Sequence, residues 1–245
     1  MLDRADASRM ALAILVVALG SPAGAAQWIG KGEAGLAFAN GNTQSSTANA
    51  RVAVTRKSAS REYSFGAGGL YVRADGDTTA RRWDASTQTR QDFIGRNFWH
   101  LGTRYEEDRF SGFDHQGVVT SGVGRRFVDN DRTRLLMQIG AGYKFYETLS
   151  DTMGGDDAGK SHNITFVSTL EFQHRLTDST TLLNKFGSEV NSGNTFLQNE
   201  VAVAVKMTDR LALSVAYAVR LNTDPPDTFK RTDRLTTANL VYEVK

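Results

Sequence analysis

From about residue 30 to the C-terminus the side chains alternate in polarity with a period of two, and the alternation leaves room for no amphipathic helix. Between Glu62 and Arg73, the residues Tyr63, Phe65, Ala67, Gly69 and Tyr71 alternate with Glu62, Ser64, Gly66, Gly68 and Leu70. Leu135, Met137, Ile139, Ala141, Tyr143 and Phe145 alternate in the same way with Arg134, Gln138 and Lys144. Leu211, Leu213, Val215, Tyr217, Val219 and Leu221 alternate with Ala212, Ser214, Ala216 and Arg220. Successive strand side chains point to opposite faces, so a period of two is the signature of β-structure.

The pattern predicts twelve strands, over residues 31–40, 46–56, 61–73, 80–91, 96–107, 116–128, 132–147, 162–176, 180–191, 195–207, 210–222 and 233–244. Tight turns rich in Asp, Asn, Ser and Gly alternate with mostly longer links, among them 74–79, 108–115, 149–161 and 223–232. Pro225 and Pro226 share one long link, so no strand loses a ladder donor there. An even strand number places both ends of the domain on the short-turn side.

What lies on the two faces decides between a soluble sandwich and a barrel in a membrane. Strands of ten or more residues exceed the usual soluble length and suit a tilted bilayer crossing. Tyr63 and Tyr71 stand eight residues apart on one face. With a tilted strand that is roughly 20 Å of height, close to the separation of the two aromatic girdles of an outer-membrane barrel. The opposite face is too charged for a sandwich core. Lipid on the apolar side and a polar lumen on the other account for both, and closure removes the exposed edges. The expected fold class is therefore all-β: a single twelve-stranded, antiparallel, up-and-down transmembrane β-barrel. Two features fit it less smoothly. Residues 80–91 offer lipid little beyond Ala85, Thr87 and Thr89, and Arg125 falls on the outward set, which a bulge near Gly122 or Gly124 would re-aim.

Residues 1–26 differ from the rest and are expected to be a signal peptide, with the barrel domain at 27–245. Arg4 and Arg9 precede an apolar run from Met10 to Gly20, Pro22 breaks it, and Ala23, Gly24, Ala25 and Ala26 supply the small residues of a cleavage site. Export through the Sec pathway to the bacterial outer membrane follows.

Reading the inward positions strand by strand gives a candidate lumen lining. Its acids are Glu62, Asp84, Asp92, Glu106, Glu171, Glu189 and Glu200, and its bases are Arg82, Arg90, Arg104, Arg134, Lys144, Lys185 and Arg220, with His100 beside them. The same parity adds Glu33, Glu243, Arg51, Arg126, Arg175 and Lys206. The signs nearly balance, so two readings stand: pairing across a narrow lumen that nearly seals it, or a small aqueous channel. Inward Gly66, Gly68, Gly122, Gly124, Gly140 and Gly142 make space and favour a narrow opening.

Enzymatic chemistry finds little support. With no cysteine, the chain has no disulfide, thiolate metal site or cysteine nucleophile. Of its four histidines, His100 points inward, His115 and His162 lie at loop–strand junctions, and His174 lies near a short turn. None has a serine two residues away on the same outward face, so no catalytic residue, cofactor or metal site is assigned. Asp156–Asp157 and Asp75–Asp77 lack the ligand spacing of a Ca²⁺ loop. A formal charge of +2 gives no reason to expect a nucleic-acid partner. Arg81–Arg82 and Lys230–Arg231 stand at the long-loop rim, where lipopolysaccharide phosphates are the expected contacts.

The order of motifs resembles the family of salt-induced outer-membrane proteins, a domain of unknown function in Gram-negative bacteria. The resemblance is carried by Asn40-Gly-Asn-Thr-Gln-Ser-Ser46, Arg104-Tyr-Glu-Glu-Asp108, Gly122-Val-Gly-Arg-Arg-Phe127, Gly140-Ala-Gly-Tyr143, Asn222-Thr-Asp-Pro-Pro226 and Thr232-Asp-Arg-Leu-Thr-Thr237. It implies an outer-membrane location and a link to salt or osmotic stress, but transfers no catalytic residue. The chain ends Tyr242-Glu-Val-Lys245 rather than on an aromatic, yet Ala238, Leu240, Tyr242 and Val244 keep the outward alternation that the barrel-assembly machinery reads. The function expected is a non-enzymatic outer-membrane barrel, either a narrow passive channel for ions or small polar solutes or a sealed barrel acting through its outer loops. A lipid-modifying enzyme is a distant third reading.

Overall fold

The computed structural model describes residues 26–39, 45–108, 113–148, 160–225 and 230–244. The expected signal peptide, the Asn40–Gln44 part of the first motif, Asp156–Asp157 and Pro226 lie outside the described residues. Twelve strands form one closed antiparallel barrel in chain order, with the last strand paired to the first. They are β1 (Gln27–Ala39), β2 (Ser45–Lys57), β3 (Arg61–Ala74), β4 (Asp77–Ile94), β5 (Asn97–Asp108) and β6 (Phe113–Asp129). The second half comprises β7 (Thr133–Thr148), β8 (Lys160–Arg175), β9 (Thr180–Val190), β10 (Thr195–Lys206), β11 (Leu211–Asn222) and β12 (Thr232–Val244). Strand pairing is long everywhere but at the closing seam. There β1 and β12 pair from Gly30↔Val244 to Ala34↔Leu240, whereas β1 pairs β2 from Gln27↔Lys57 to Ala39↔Ser45. Above this seam the Asn49 side chain of β2 reaches across β1 to that of Asn239 on β12, at 2.9 Å, over Gly35.

Burial runs opposite to that of a soluble domain. Leu36, Phe65, Trp83, Val123, Ile139, Ile164, Phe166, Val215 and Leu240 are exposed on the outer surface. Arg90, His100, Glu106, Asp108, Gln116, Gln138 and Lys144 are buried inside. Water as the outer solvent would make that arrangement prohibitive, and hydrocarbon makes it favourable. On the thin apolar face of β4, the Thr87 hydroxyl lies 3.3 Å from that of Thr103 on β5.

Two local expectations are corrected. Residues 74–79 do not form a long link: β3 and β4 run on into a two-residue turn at Asp75 and Gly76, both at positive φ (51° and 92°). Asp-Gly suits such a turn because both central residues must enter the left-handed region. The Asp75–Asp77 segment is thus a hairpin tip rather than an open loop. Gly76→Val is expected to cost about 1–2 kcal/mol through that φ alone, read as a lowered denaturant midpoint with the barrel still closed. The second correction concerns Arg125. No bulge occurs at Gly122 or Gly124; the register shifts between Arg126 and Val128 instead. Arg125 stays exposed and outward near the short-turn end, where its Nη1 donates to Asn97 Oδ1 at 3.2 Å.

Candidate functional site

The inward parity brings the charged residues of β3–β5 face to face with those of β8–β11. β4 contributes Arg82, Asp84, Arg90 and Asp92, and β5 contributes His100, Arg104, Glu106 and Asp108, each set on alternate residues in matching register. β5 and β11 have five strands between them either way around the ring, so they are opposite walls. Arg220 of β11 nevertheless reaches Glu106 of β5: its Nη2 lies 2.5 Å from Glu106 Oε2, and its Nη1 lies 3.5 Å from Asp108 Oδ2. One arginine therefore spans the lumen.

Around this strut an upper network forms toward the long-loop end. Arg104 of β5 pairs with Glu189 of β9, and Lys144 of β7 meets the same carboxylate at 2.9 Å. Arg82 lies 3.8 Å from Asp108, and Gln116 of β6 donates to Glu106 Oε1 at 2.9 Å. The ring of Phe196 on β10 sits among three of the cations, with Arg220, Lys144 and Arg104 at 5.2, 5.5 and 5.8 Å from its centroid. A ring face attracts cations and keeps them apart while the carboxylates neutralise them. Toward the long loops, Glu106, Lys144, Phe196, Arg220, Lys230 and Arg231 border a cavity of about 30 Å³, room for water but for little else.

A second network crosses the lumen nearer the short turns. Arg90 of β4 bridges Glu62 of β3 at 3.0 Å and Glu171 of β8 at 2.7 Å. Arg126 of β6 pairs with Asp92 at 2.7 Å. The fully buried Phe98 ring lies beneath both guanidiniums, 5.6 Å from Arg90 and 4.9 Å from Arg126. His100 is also shut away, its Nε2 3.4 Å from the Ile139 carbonyl. Arg51 and Glu200 form a looser pair, 3.6 Å apart and half exposed. Arg134 stands at the short-turn mouth, 3.4 Å from Asp129. Asp84 and Lys185 occupy inward positions, and neither has an ion-pair partner within 4 Å among the described residues. Buried polar atoms without a protein partner also occur here: Arg90 Nε, His100 Nδ1, Gln138 Oε1 and Thr165 Oγ1.

The inward glycines of β6 and β7 face each other across the ladder. A Cβ on Gly122 would lie 2.0 Å from the Ile139 carbonyl oxygen, and one on Gly140 would lie 2.3 Å from that of Ser121. The backbones of β6 and β7 therefore approach too closely here for any Cβ, and the His100 ring lies against that bare backbone.

Sequence reasoning passed over Phe98, Phe196, Asp108 and Gln116. Parity alone places all four inward, but a phenylalanine in a polar lumen looks like an exception until the cations around it are seen. On the outer face, His115 falls within β6 rather than at its junction, stacked at 6.0 Å on Tyr105 and 3.3 Å from Asp114. His162 stacks on Tyr143 at 5.6 Å, and His174 Nδ1 lies 2.8 Å from Thr133 Oγ1. Among the described residues no cluster of three potential metal ligands forms.

A closed antiparallel barrel with an apolar exterior and an ion-paired polar lumen is a transmembrane β-barrel. The chain belongs to the DUF481 family of proteins of unknown function, whose model matches residues 32–244. It is 25% identical over 215 residues to the uncharacterised protein YdiY of Escherichia coli (strain K12), a match covering 86% of this chain and 81% of that one. Its fold is similar to that of an outer membrane channel from Pseudomonas putida F1, with a TM-score of 0.50 at 10% identity, covering 91% of this chain and 97% of that one. The NanC porin superposes at a TM-score of 0.49 with 8% identity, covering 89% and 98%.

Proposed function

We propose that this protein is a non-enzymatic channel of the bacterial outer membrane, admitting ions and small polar solutes through a lumen narrowed by its own ion pairs. Residues 1–26 would direct export through the Sec pathway and be removed. The short turns and both ends of the domain would face the periplasm, and the long-loop rim would face lipopolysaccharide. The barrel-assembly machinery is the expected partner in biogenesis. The observation that carries the reading is the span of Arg220 to Glu106 and Asp108, because it sets the free cross-section. The buried polar atoms of Arg90, His100, Gln138 and Thr165 favour a wet lumen over a dry one, since water is what completes such groups.

The second reading is a sealed barrel that acts through its outer loops. It draws on the burial of both partners in the Arg220–Glu106 and Arg90–Glu62 pairs. A link to salt or osmotic stress rests on the family resemblance and is testable by expression. Single-channel recording of the folded, mature barrel separates the two structural readings. Small discrete steps are expected, and Arg104→Gln is expected to shift the reversal potential toward cations by leaving Glu189 and Glu106 under-compensated. Silence from folded native protein and variant alike would reject the channel in favour of the sealed barrel.

A further inference from the structure

On the outer surface at the short-turn rim, two arginines stand without a carboxylate among the described residues. Arg56 lies one residue before the end of β2, and Arg61 opens β3 across the turn. Both fall on the outward parity. Arg56 sits in register between Trp28 of β1 and Tyr63 of β3, and Arg61 sits beside Gln91 of β4. The Arg56 guanidinium lies over the Trp28 ring, 5.7 Å from its centroid, and that of Arg61 lies over Tyr63 at 5.9 Å. Arg61 also donates to Gln91 Oε1 at 2.5 Å and to the Tyr63 hydroxyl at 3.0 Å. With Ser58, Ser60 and Tyr63 the two arginines line a cavity of about 240 Å³.

Charge and location together indicate what the cavity takes. Arg56 has no hydrogen-bond or ion-pair partner among the described residues, and its Nε is closed off from solvent. The outward neighbours Trp28, Val54, Tyr63, Thr89 and Gln91 include no acid, whereas the lumen arginines Arg90, Arg104, Arg126 and Arg220 all pair with acids. An unmet guanidinium beside hydrocarbon is costly. Trp and Tyr rings settle at the depth of the headgroups, which places the cavity there too. The anion at that depth is a lipid phosphate, and it matches the guanidinium fork bidentately. Tyr63 and Phe65 continue along the same outward row, exposed to the belt that acyl chains occupy, so the source favoured is a lipid rather than free phosphate.

We propose that Arg56 and Arg61 form a binding site for the phosphate of a membrane phospholipid at the short-turn rim, with Ser58 and Ser60 supplying hydroxyls and Trp28 and Tyr63 holding the guanidinium planes. The site lies outside the lumen and does not depend on conduction.

The test offers the folded, mature barrel in a neutral maltoside detergent three probes: phosphatidylglycerol, diacylglycerol with the same chains, and inorganic phosphate. Bound species are counted by native mass spectrometry. Native protein is expected to retain phosphatidylglycerol and not diacylglycerol. The Arg56→Gln/Arg61→Gln variant is expected to retain about tenfold less. Equal retention by the Arg56→Gln/Arg61→Gln variant, or equal retention of diacylglycerol, overturns the proposal. Inorganic phosphate binding as tightly as phosphatidylglycerol overturns the lipid assignment. If the double variant does not fold, Arg61→Gln alone, an exposed side chain, is read the same way. Its channel conductance should match native protein, so loss of lipid retention and loss of conduction are separate results.

Discussion

The Arg220→Ala barrel is expected to pass severalfold more current per channel than the native one and to prefer cations. Arg220 is the strut from β11 to the opposite wall, and truncating it removes both the strut and one positive charge. Glu106 would keep Arg104 at 3.9 Å and Gln116 at 2.9 Å, and Asp108 would keep Arg82 at 3.8 Å. None of these contacts crosses the diameter of the barrel, so the aperture widens while its acids remain. Breaking a dry buried ion pair costs about 3–5 kcal/mol. The cost here is smaller, because the acids keep those partners and the widened lumen hydrates them. Bilayer recordings under a salt gradient measure both effects, step size and reversal potential. Native step size and native selectivity in a folded Arg220→Ala barrel would show that Arg220 does not set the aperture.

Gly122→Val is expected to abolish the folded barrel. The new Cβ would fall 2.0 Å from the Ile139 carbonyl oxygen and 2.5 Å from the Gly140 Cα, both of them backbone on the neighbouring strand. Side chains can rotate away from such a clash, but a ladder of backbone hydrogen bonds cannot move without breaking. In a bilayer the broken ladder has no water to turn to. Gly32→Ala is the matched control, since its Cβ would meet nothing within 4 Å. The readout is the fraction of refolded protein showing the compact electrophoretic form before heating. A native-like fraction for Gly122→Val would mean that β6 and β7 can separate locally at little cost.

The wall of this protein is legible in its sequence because a barrel strand obeys one rule, parity, from end to end. The expected strands 61–73 and 210–222 agree with β3 and β11 to within one residue at each end, because one uninterrupted alternation covers each. Parity fails where the chain leaves it. At Asp75–Gly76 a two-residue hairpin occupies what looked like a long link, because Thr78 and Thr79 have the polarity of loop residues while continuing a strand. The bulge between Arg126 and Val128 leaves no mark in the hydrophobic pattern.

The lumen is only half legible. Parity points Arg220, Glu106, Arg90 and Glu171 inward. Which of them meet depends on shear and diameter, and these belong to the ring as a whole rather than to any strand. That Arg90 finds Glu171 four strands away on β8, rather than Asp84 on its own strand, is a property of closure. Phe98 and Phe196 were missed for a related reason. An aromatic residue facing a polar interior has meaning only once cations from several strands converge on it.

The closing seam carries a mechanical consequence. A cask holds at its tightest stave and leaks at its loosest. Here the loosest joint is between β1 and β12, laddered over Gly30 to Ala34 and buttoned higher up by the Asn49–Asn239 amides. Because β1 is held along its full length by β2 and β12 from Thr232 to Tyr242 by β11, the seam between them is where the ring has the fewest ladder bonds to lose. The ring is thus laddered at length around most of its circumference and clasped at one short joint, where its last strand meets its first.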